Sequence, residues 1–247
     1  MLNAGWDDDL RAFAKSWTSG QLWLKSSESV HPKRWQKSTL GTLQAYFGSR
    51  LANLPSQLSR ADLFAAASGI NANPDEVFLL TMMWGYNNAP YGARRTNDIL
   101  SKGSAAARSK ISGIFAAAKS GNFQAAFNGL HDPAIYRLSG LATSFGSKLI
   151  YVAGYQPKQP GTQPLILDSM VTNALAKAID PLSGELTVWY ANTKSWQHYW
   201  DYCDLVWRLR NKYVPGARID MVEHWLWLVG SGVCWHHYAI RRNRKYP

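Results

Sequence analysis

The run Asn73-Pro74-Asp75-Glu76, leading into Val77-Phe78-Leu79-Leu80-Thr81-Met82-Met83-Trp84, limits the possible folds of this chain more than any other stretch. An asparagine before a proline marks a helix start, because proline tolerates the first turn, where its missing N–H has no partner anyway. Two acids then face the positive end of the helix dipole. The helix expected over Glu76 to Trp84 is apolar nearly all round, so it has to be buried. Three more stretches read as helical. Arg60 to Ser68 holds good helix formers and stops at Gly69. Lys102 to Lys119 is alanine-rich with spaced bases and predicts one surface-facing amphipathic helix, and Asn122 to Asn128 predicts a continuation of that packing.

Strand signals are weak. Trp17 to Leu24 fits a short hairpin about Ser19-Gly20, and Glu185 to Tyr190 alternates over a few residues. With no sustained alternation and no βαβ rhythm, the expected class is mostly α. No solenoid repeat is visible. A length of 247 residues suits one large domain or two subdomains sharing a core.

Lys and Arg number 27 against 16 Asp and Glu, a net charge of +11 that suits a polyanionic partner such as DNA, RNA or an anionic membrane. Charged residues are only 17% of the chain, so the excess reflects scarce acids rather than a supercharged surface. Cys203 and Cys234 are too few for a disulfide framework and fit a reducing compartment. Met1 to Arg11 carries Asp7, Asp8 and Asp9 where a signal peptide needs positive charge and then an apolar run. The apolar stretch Val77 to Tyr86 is too short to span a bilayer. The expectation is a soluble, cytoplasmic, basic protein with no membrane partner and no obligate protein partner. The tail Arg241 to Pro247 carries four bases and reads either as a solvated end or as an arm on phosphate. Seven of the twelve tryptophans lie between Trp189 and Trp235, and most are expected in the core because of their area.

Tyr136 to Leu175 carries the chemistry. It reads as an apolar helix, a tight turn from Gly140 to Ser144, a second helix through Ala153, the loop Gln156 to Pro164, and then Leu165-Ile166-Leu167-Asp168 opening another helix. A turn of glycine and small polar residues presents backbone N–H groups at a helix N-terminus, a ready phosphate site. Asp168 has two readings, a helix N-cap or a reactive carboxylate.

This segment resembles the helix-hairpin-helix DNA glycosylases, and more closely a bacterial branch described as having an 8-oxoguanine glycosylase fold. Ser144-Phe145-Gly146-Ser147-Lys148 and Leu167-Asp168-Ser169 are similar to two of its motifs. Trp84-Gly85-Tyr86 with Tyr91-Gly92-Ala93-Arg94-Arg95-Thr96 is similar to another. The resemblance implies a two-lobed fold with a central cleft, a helical lobe over 60–135 and a hairpin-containing lobe over 1–59 and 136–247. It implies that Asp168 assists departure of the base, by stabilising an oxocarbenium-like sugar or activating a nucleophile. In relatives that also cut the strand, a lysine attacks the sugar and forms a Schiff base. Lys148, twenty residues before Asp168, is the candidate. Counted from Gly140, the family's lysine position falls on Ser144, and Ala142 replaces the second hairpin glycine. Ser144 and Lys148 share a helical face, so base excision with and without strand cleavage both stand. Lys148 also reads as a phosphate contact.

Within Trp84 to Thr96, the resemblance implies residues that enter the gap left by an extruded nucleotide. Asn87 and Asn88 have amides able to bond an orphaned base, and Arg94 and Arg95 suit flanking phosphates. The competing reading is a helix terminus with polar turn residues. The implied partner is duplex DNA with a modified base, either 8-oxoguanine in repair or a hypermodified phage base such as glucosylated hydroxymethylcytosine in antiviral defence. No cofactor is implied. Cys203 with Cys234-Trp235-His236-His237 lacks zinc-finger spacing. Glu223 and His224 read as a core polar pair on an apolar helix. A non-catalytic DNA-binding module and an RNA-associated protein are the rivals from other classes.

Overall fold

A computed structural model describes residues 2–18, 27–37, 39–103, 106–133, 135–157, 159–179 and 193–232. Among them the chain is mostly α, with twelve α-helices and one two-stranded sheet. It divides into two units, Leu24–Gly154 and Met1–Trp23 with Tyr155–Pro247.

The first described helix, α1 (Trp6–Thr18), belongs to the second unit. Its last residues, Trp17 and Thr18, were expected to open a hairpin and are helical instead; the rest of that hairpin lies outside the described residues. Leu24–Gly154 begins with β1 (Ser27–Ser29), α2 (Pro32–Trp35), α3 (Gly41–Phe47), a 3-10 helix (Gly48–Asn53) and β2 (Gln57–Ser59). The strands pair antiparallel with Glu28 opposite Leu58. Then come α4 (Arg60–Ser68), α5 (Pro74–Tyr86), α6 (Gly92–Gly103), α7 (Ala107–Lys119), α8 (Phe123–His131) and α9 (Thr143–Gly154). A helical lobe drawn at 60–135 leaves out the β1–β2 pairing, the packing of α3 on α6 and that of α9 on α5, all of which fall inside this unit.

Helix α5 is its centre. The Asn73 side chain accepts from the Asp75 and Glu76 amides at 3.0 and 3.2 Å, as the sequence predicts. Val77, Phe78, Leu79, Met82 and Met83 are all at most 1% exposed. Each such burial removes about 1.5–3 kcal/mol of apolar hydration cost. Helix α4 opens with a capping box between Ser59 and Asp62. Its first residue, Arg60, is buried, donates to the Tyr151 hydroxyl at 3.1 Å and lies 5.3 Å from the Trp84 ring.

Two expectations fail here. In place of the single helix over Lys102 to Lys119, the described residues carry one helix that ends at Gly103 and a second that starts at Ala107. Residues 136–139 are not helical either. Asp132 precedes Pro133 and takes an extended conformation (φ −87°, ψ 116°), so α8 stops at His131, and the described residues from there to α9 are turns and irregular chain.

In the second unit α1 is followed by α10 (Ser169–Ala178), α11 (Trp196–Tyr213) and α12 (Ile219–Ser231). Helices α10 and α12 meet at Gly230, where an added Cβ would lie 1.6 Å from the Met170 carbonyl oxygen. Leu10 and Phe13 of α1 are fully buried, and the Trp225 indole donates to Asp9 at 2.8 Å. Trp225 is the one fully buried tryptophan of the C-terminal cluster among the described residues; Trp196, Trp200, Trp207 and Trp227 are half-exposed. Trp196, Trp200 and Trp207 share one flank of α11, beside the face that buries Tyr199, Tyr202 and Val206. Glu223 and His224 are buried in α12. Residues 185–190, Cys234, His236, His237 and the basic tail lie outside the described residues. Among the described residues no helix is long and apolar enough to cross a membrane.

Candidate functional site

The N-terminus of α9 and the C-terminus of α5 bring two sequence motifs together. The Phe145 ring stacks on Tyr86 with centroids 4.2 Å apart, and Tyr91 meets Tyr86 edge-on at 5.8 Å. Gly85 makes the approach possible, since a Cβ there would lie 2.7 Å from Phe145 and 3.1 Å from Cδ of Lys148. Trp84-Gly85-Tyr86 and Ser144-Phe145-Gly146-Ser147-Lys148, some sixty residues apart in the chain, thus form one packed surface.

Lys148 is only 6% exposed. Its ammonium donates to the Ser144 carbonyl oxygen at 3.2 Å and lies 5.3 Å from the centre of the Phe145 ring. The amine is therefore held by its own helix and an aromatic face. Ser144 is half-buried one turn earlier, and Ala142 and Gly140 are exposed in the turn that leads into α9. Gly140 has φ +92°, a conformation that favours glycine.

Beyond α5 the chain turns sharply at Asn87, whose φ is +49°. Asn87 and Asn88 are both exposed. The Asn87 amide donates to Glu28 at 3.0 Å, while the Asn88 backbone carbonyl accepts from Arg34 at 2.6 Å. Asn88 thus keeps its side-chain amide for other work. Arg94 and Arg95 project into solvent from the first turn of α6. Tyr86 has its pKa raised by burial, against the lowering effect of the Arg95 cation.

Asp168 belongs to the other unit. Its side chain caps α10, with one carboxylate oxygen accepting from the Met170 and Val171 amides at 3.1 and 3.2 Å. It is 8% exposed. The capping reading holds, and both capping bonds converge on the same oxygen. The approach to Asp168 is clamped by side chains that sequence reasoning missed. The Tyr199 hydroxyl donates to the Leu165 carbonyl at 2.8 Å and accepts from the Leu165 amide at 3.2 Å. The Tyr202 hydroxyl donates to the Ile166 carbonyl at 2.7 Å. Burial pushes both phenols well above their ordinary pKa, so both remain neutral donors. The available signal was the apolar stripe Tyr199, Tyr202, Val206, Leu209, Tyr213 at helical spacing.

Cys203 lies in the same buried layer, and burial raises its thiol pKa. Among the described residues no three His, Cys, Asp or Glu side chains gather as a metal site would need.

The family model described as "Putative 8-oxoguanine DNA glycosylase OGG-like protein" matches residues 23–227. The chain belongs to this OGG-like family. At the level of the family its activity is that of a DNA glycosylase, and DNA is its substrate class. No curated protein and no solved structure matches the chain. The OGG-like match spans both units, taking in the Lys148 surface and the Asp168 helix start.

Proposed function

We propose that this OGG-like chain excises a modified base from duplex DNA, with Asp168 as the carboxylate that assists base departure and Lys148 as an amine nucleophile toward the sugar. The observation that carries the reading is the burial of Lys148 against Phe145 and Gly85, where its amine is fixed by Ser144 rather than spread into solvent. A lysine held on an aromatic face suits covalent chemistry at a sugar carbon: the amine, once deprotonated, bonds to C1′ as the base departs with a proton, and breaking of the C1′–O4′ bond opens the sugar ring to give the imine. A carboxylate fixed by two backbone amides suits the positive charge that grows on the sugar as the N-glycosidic bond breaks. A base must leave the stack before this chemistry, at a cost of a few kcal/mol, roughly. Asn88, with its free amide, is the residue proposed to fill the vacated place, and Arg94 and Arg95 to hold the flanking strand. The turn from Gly140 to Ser144, where Gly140 and Ala142 are exposed, is proposed as a second backbone grip.

The favoured substrate is a hypermodified base of invading DNA, with 8-oxoguanine as the alternative. Identification by mass of the base freed from a panel of cellular and viral DNAs decides between them. Borohydride reduction should trap a covalent adduct that is absent with Lys148→Ala. Base release without an adduct would remove Lys148 from the chemistry while leaving excision intact. Absence of base release from every DNA in the panel would leave a non-catalytic DNA-binding protein.

A further inference from the structure

Beside the Asn87–Tyr91 turn lies a cleft of about 420 Å³, lined by Arg34, Lys37, Thr39, Leu40, Pro90, Ala93, Arg94, Asn97 and Asp98. Three cations and one acid face it. Among the described residues, the Lys37 and Arg94 side chains make no hydrogen bond or ion pair, so their charge is uncommitted. Arg34 is pinned at the rim by its bond to the Asn88 carbonyl. The first turn of α6, twelve residues long, supplies Ala93 and Arg94 and adds the positive end of its dipole.

The walls are held apart by bonds that do not involve the cations. The Leu43 amide donates to the Asn97 side chain at 3.0 Å, and the Thr42 and Ser101 hydroxyls are 2.8 Å apart. These tie α3 to α6 along the cleft. Trp35 and Leu40, both buried, anchor the segment that carries Lys37. A rigid frame with like charges facing one space holds them together against their own repulsion, which an anion would relieve. The volume is several times that of a phosphate group and suits a phosphate with its attached sugar.

We propose that this cleft seats a backbone phosphate of bound DNA, with Lys37, Arg94 and Arg34 as its ligands. This rests on the DNA-binding half of the proposed function and not on its chemistry. The cleft would fix the strand next to the Asn88 turn, so that phosphate register and base extrusion are set by one rigid element.

The test is titration of the full chain with an unmodified duplex oligonucleotide at several salt concentrations. Lys37→Gln and Arg94→Gln should each weaken binding by at least about threefold at low salt and lower the log–log salt slope by about one. Lys33→Gln, on α2 beside Arg34 but outside the cleft, controls for net charge and should change the slope by less. Inorganic phosphate and a deoxynucleoside monophosphate, titrated separately, distinguish a strand from a free anion. Unchanged duplex affinity and slope in both cleft variants, with wild-type melting temperatures, would overturn the proposal. Loss of mononucleotide binding alone, with duplex binding intact, would overturn it equally. Base release is scored apart, so a phosphate seat without excision, or excision without the seat, would each be seen.

Discussion

The Tyr202 hydroxyl donates to the Ile166 carbonyl across 36 residues of chain, at 2.7 Å and with no exposure to solvent. With Tyr199 on Leu165, it holds the extended segment that delivers Asp168 to the start of α10. Tyr202→Phe removes the donor and leaves the Ile166 carbonyl buried without it. The expected cost is about 1–3 kcal/mol in urea unfolding, since an abandoned buried acceptor loses its hydration as well as its bond. A loss below about 0.5 kcal/mol would mean that the segment is held by packing alone.

Asp168 carries two roles that substitution separates. Asparagine is as good an N-cap as aspartate, so Asp168→Asn should keep α10 and its stability close to wild type. Alanine has no cap, and Asp168→Ala should lose about 1 kcal/mol. If the carboxylate also serves in base departure, both variants should lose abasic-site formation by about 10²–10³, the usual scale for a group that stabilises transition-state charge. Equal abasic-site formation by wild type and Asp168→Asn would leave the residue as a cap and nothing more.

Gly85 sits in a helix, where alanine is ordinarily better by about 1 kcal/mol. Here the added methyl would meet Phe145 at 2.7 Å, and that ring is already stacked on Tyr86. The crowding should outweigh the propensity, and Gly85→Ala should destabilise by about 1–3 kcal/mol. Stability equal to or above wild type would show that Phe145 and Lys148 can move aside.

What could be read from the chain follows the range over which each signal acts. The start of α5 was legible because Asn73, Pro74, Asp75 and Glu76 specify it within one turn. Capping of α10 by Asp168 was legible for the same reason. The helix expected before Gly140 failed because the local apolar pattern of 136–141 was weighed without Pro133, which fixes Asp132 as extended. The tyrosine clamps and the burial of Lys148 depend on partners 34 to 36 residues away or on another helix, and no local rule reaches that far. Lys37 and Arg34 were passed over because each is an ordinary surface base until α6 is placed opposite them.

Alkaline stability gives a test that depends on neither substrate nor DNA. Tyr155, Tyr199 and Tyr202 all have pKa values raised by burial, and the Asp220 carboxylate raises Tyr155 further while the Arg218 cation opposes it. Cys203 is shifted the same way by its burial. The folded chain keeps these protons at pH values where the unfolded chain releases them. Stability from these groups is therefore fully present below about pH 8.5 for the thiol and about pH 10 for the phenols, the ordinary values in an unfolded chain. Above those points it falls by up to about 1.4 kcal/mol per pH unit for each group. Urea midpoints measured from pH 7 to 11 should show little loss from these groups up to about pH 8.5, then a slope that steepens past pH 10. Tyr155→Phe, which removes one titrating phenol, should make the upper slope shallower even though it starts from a lower stability. A midpoint that held constant between pH 9 and 11 would contradict the buried tyrosine layer itself.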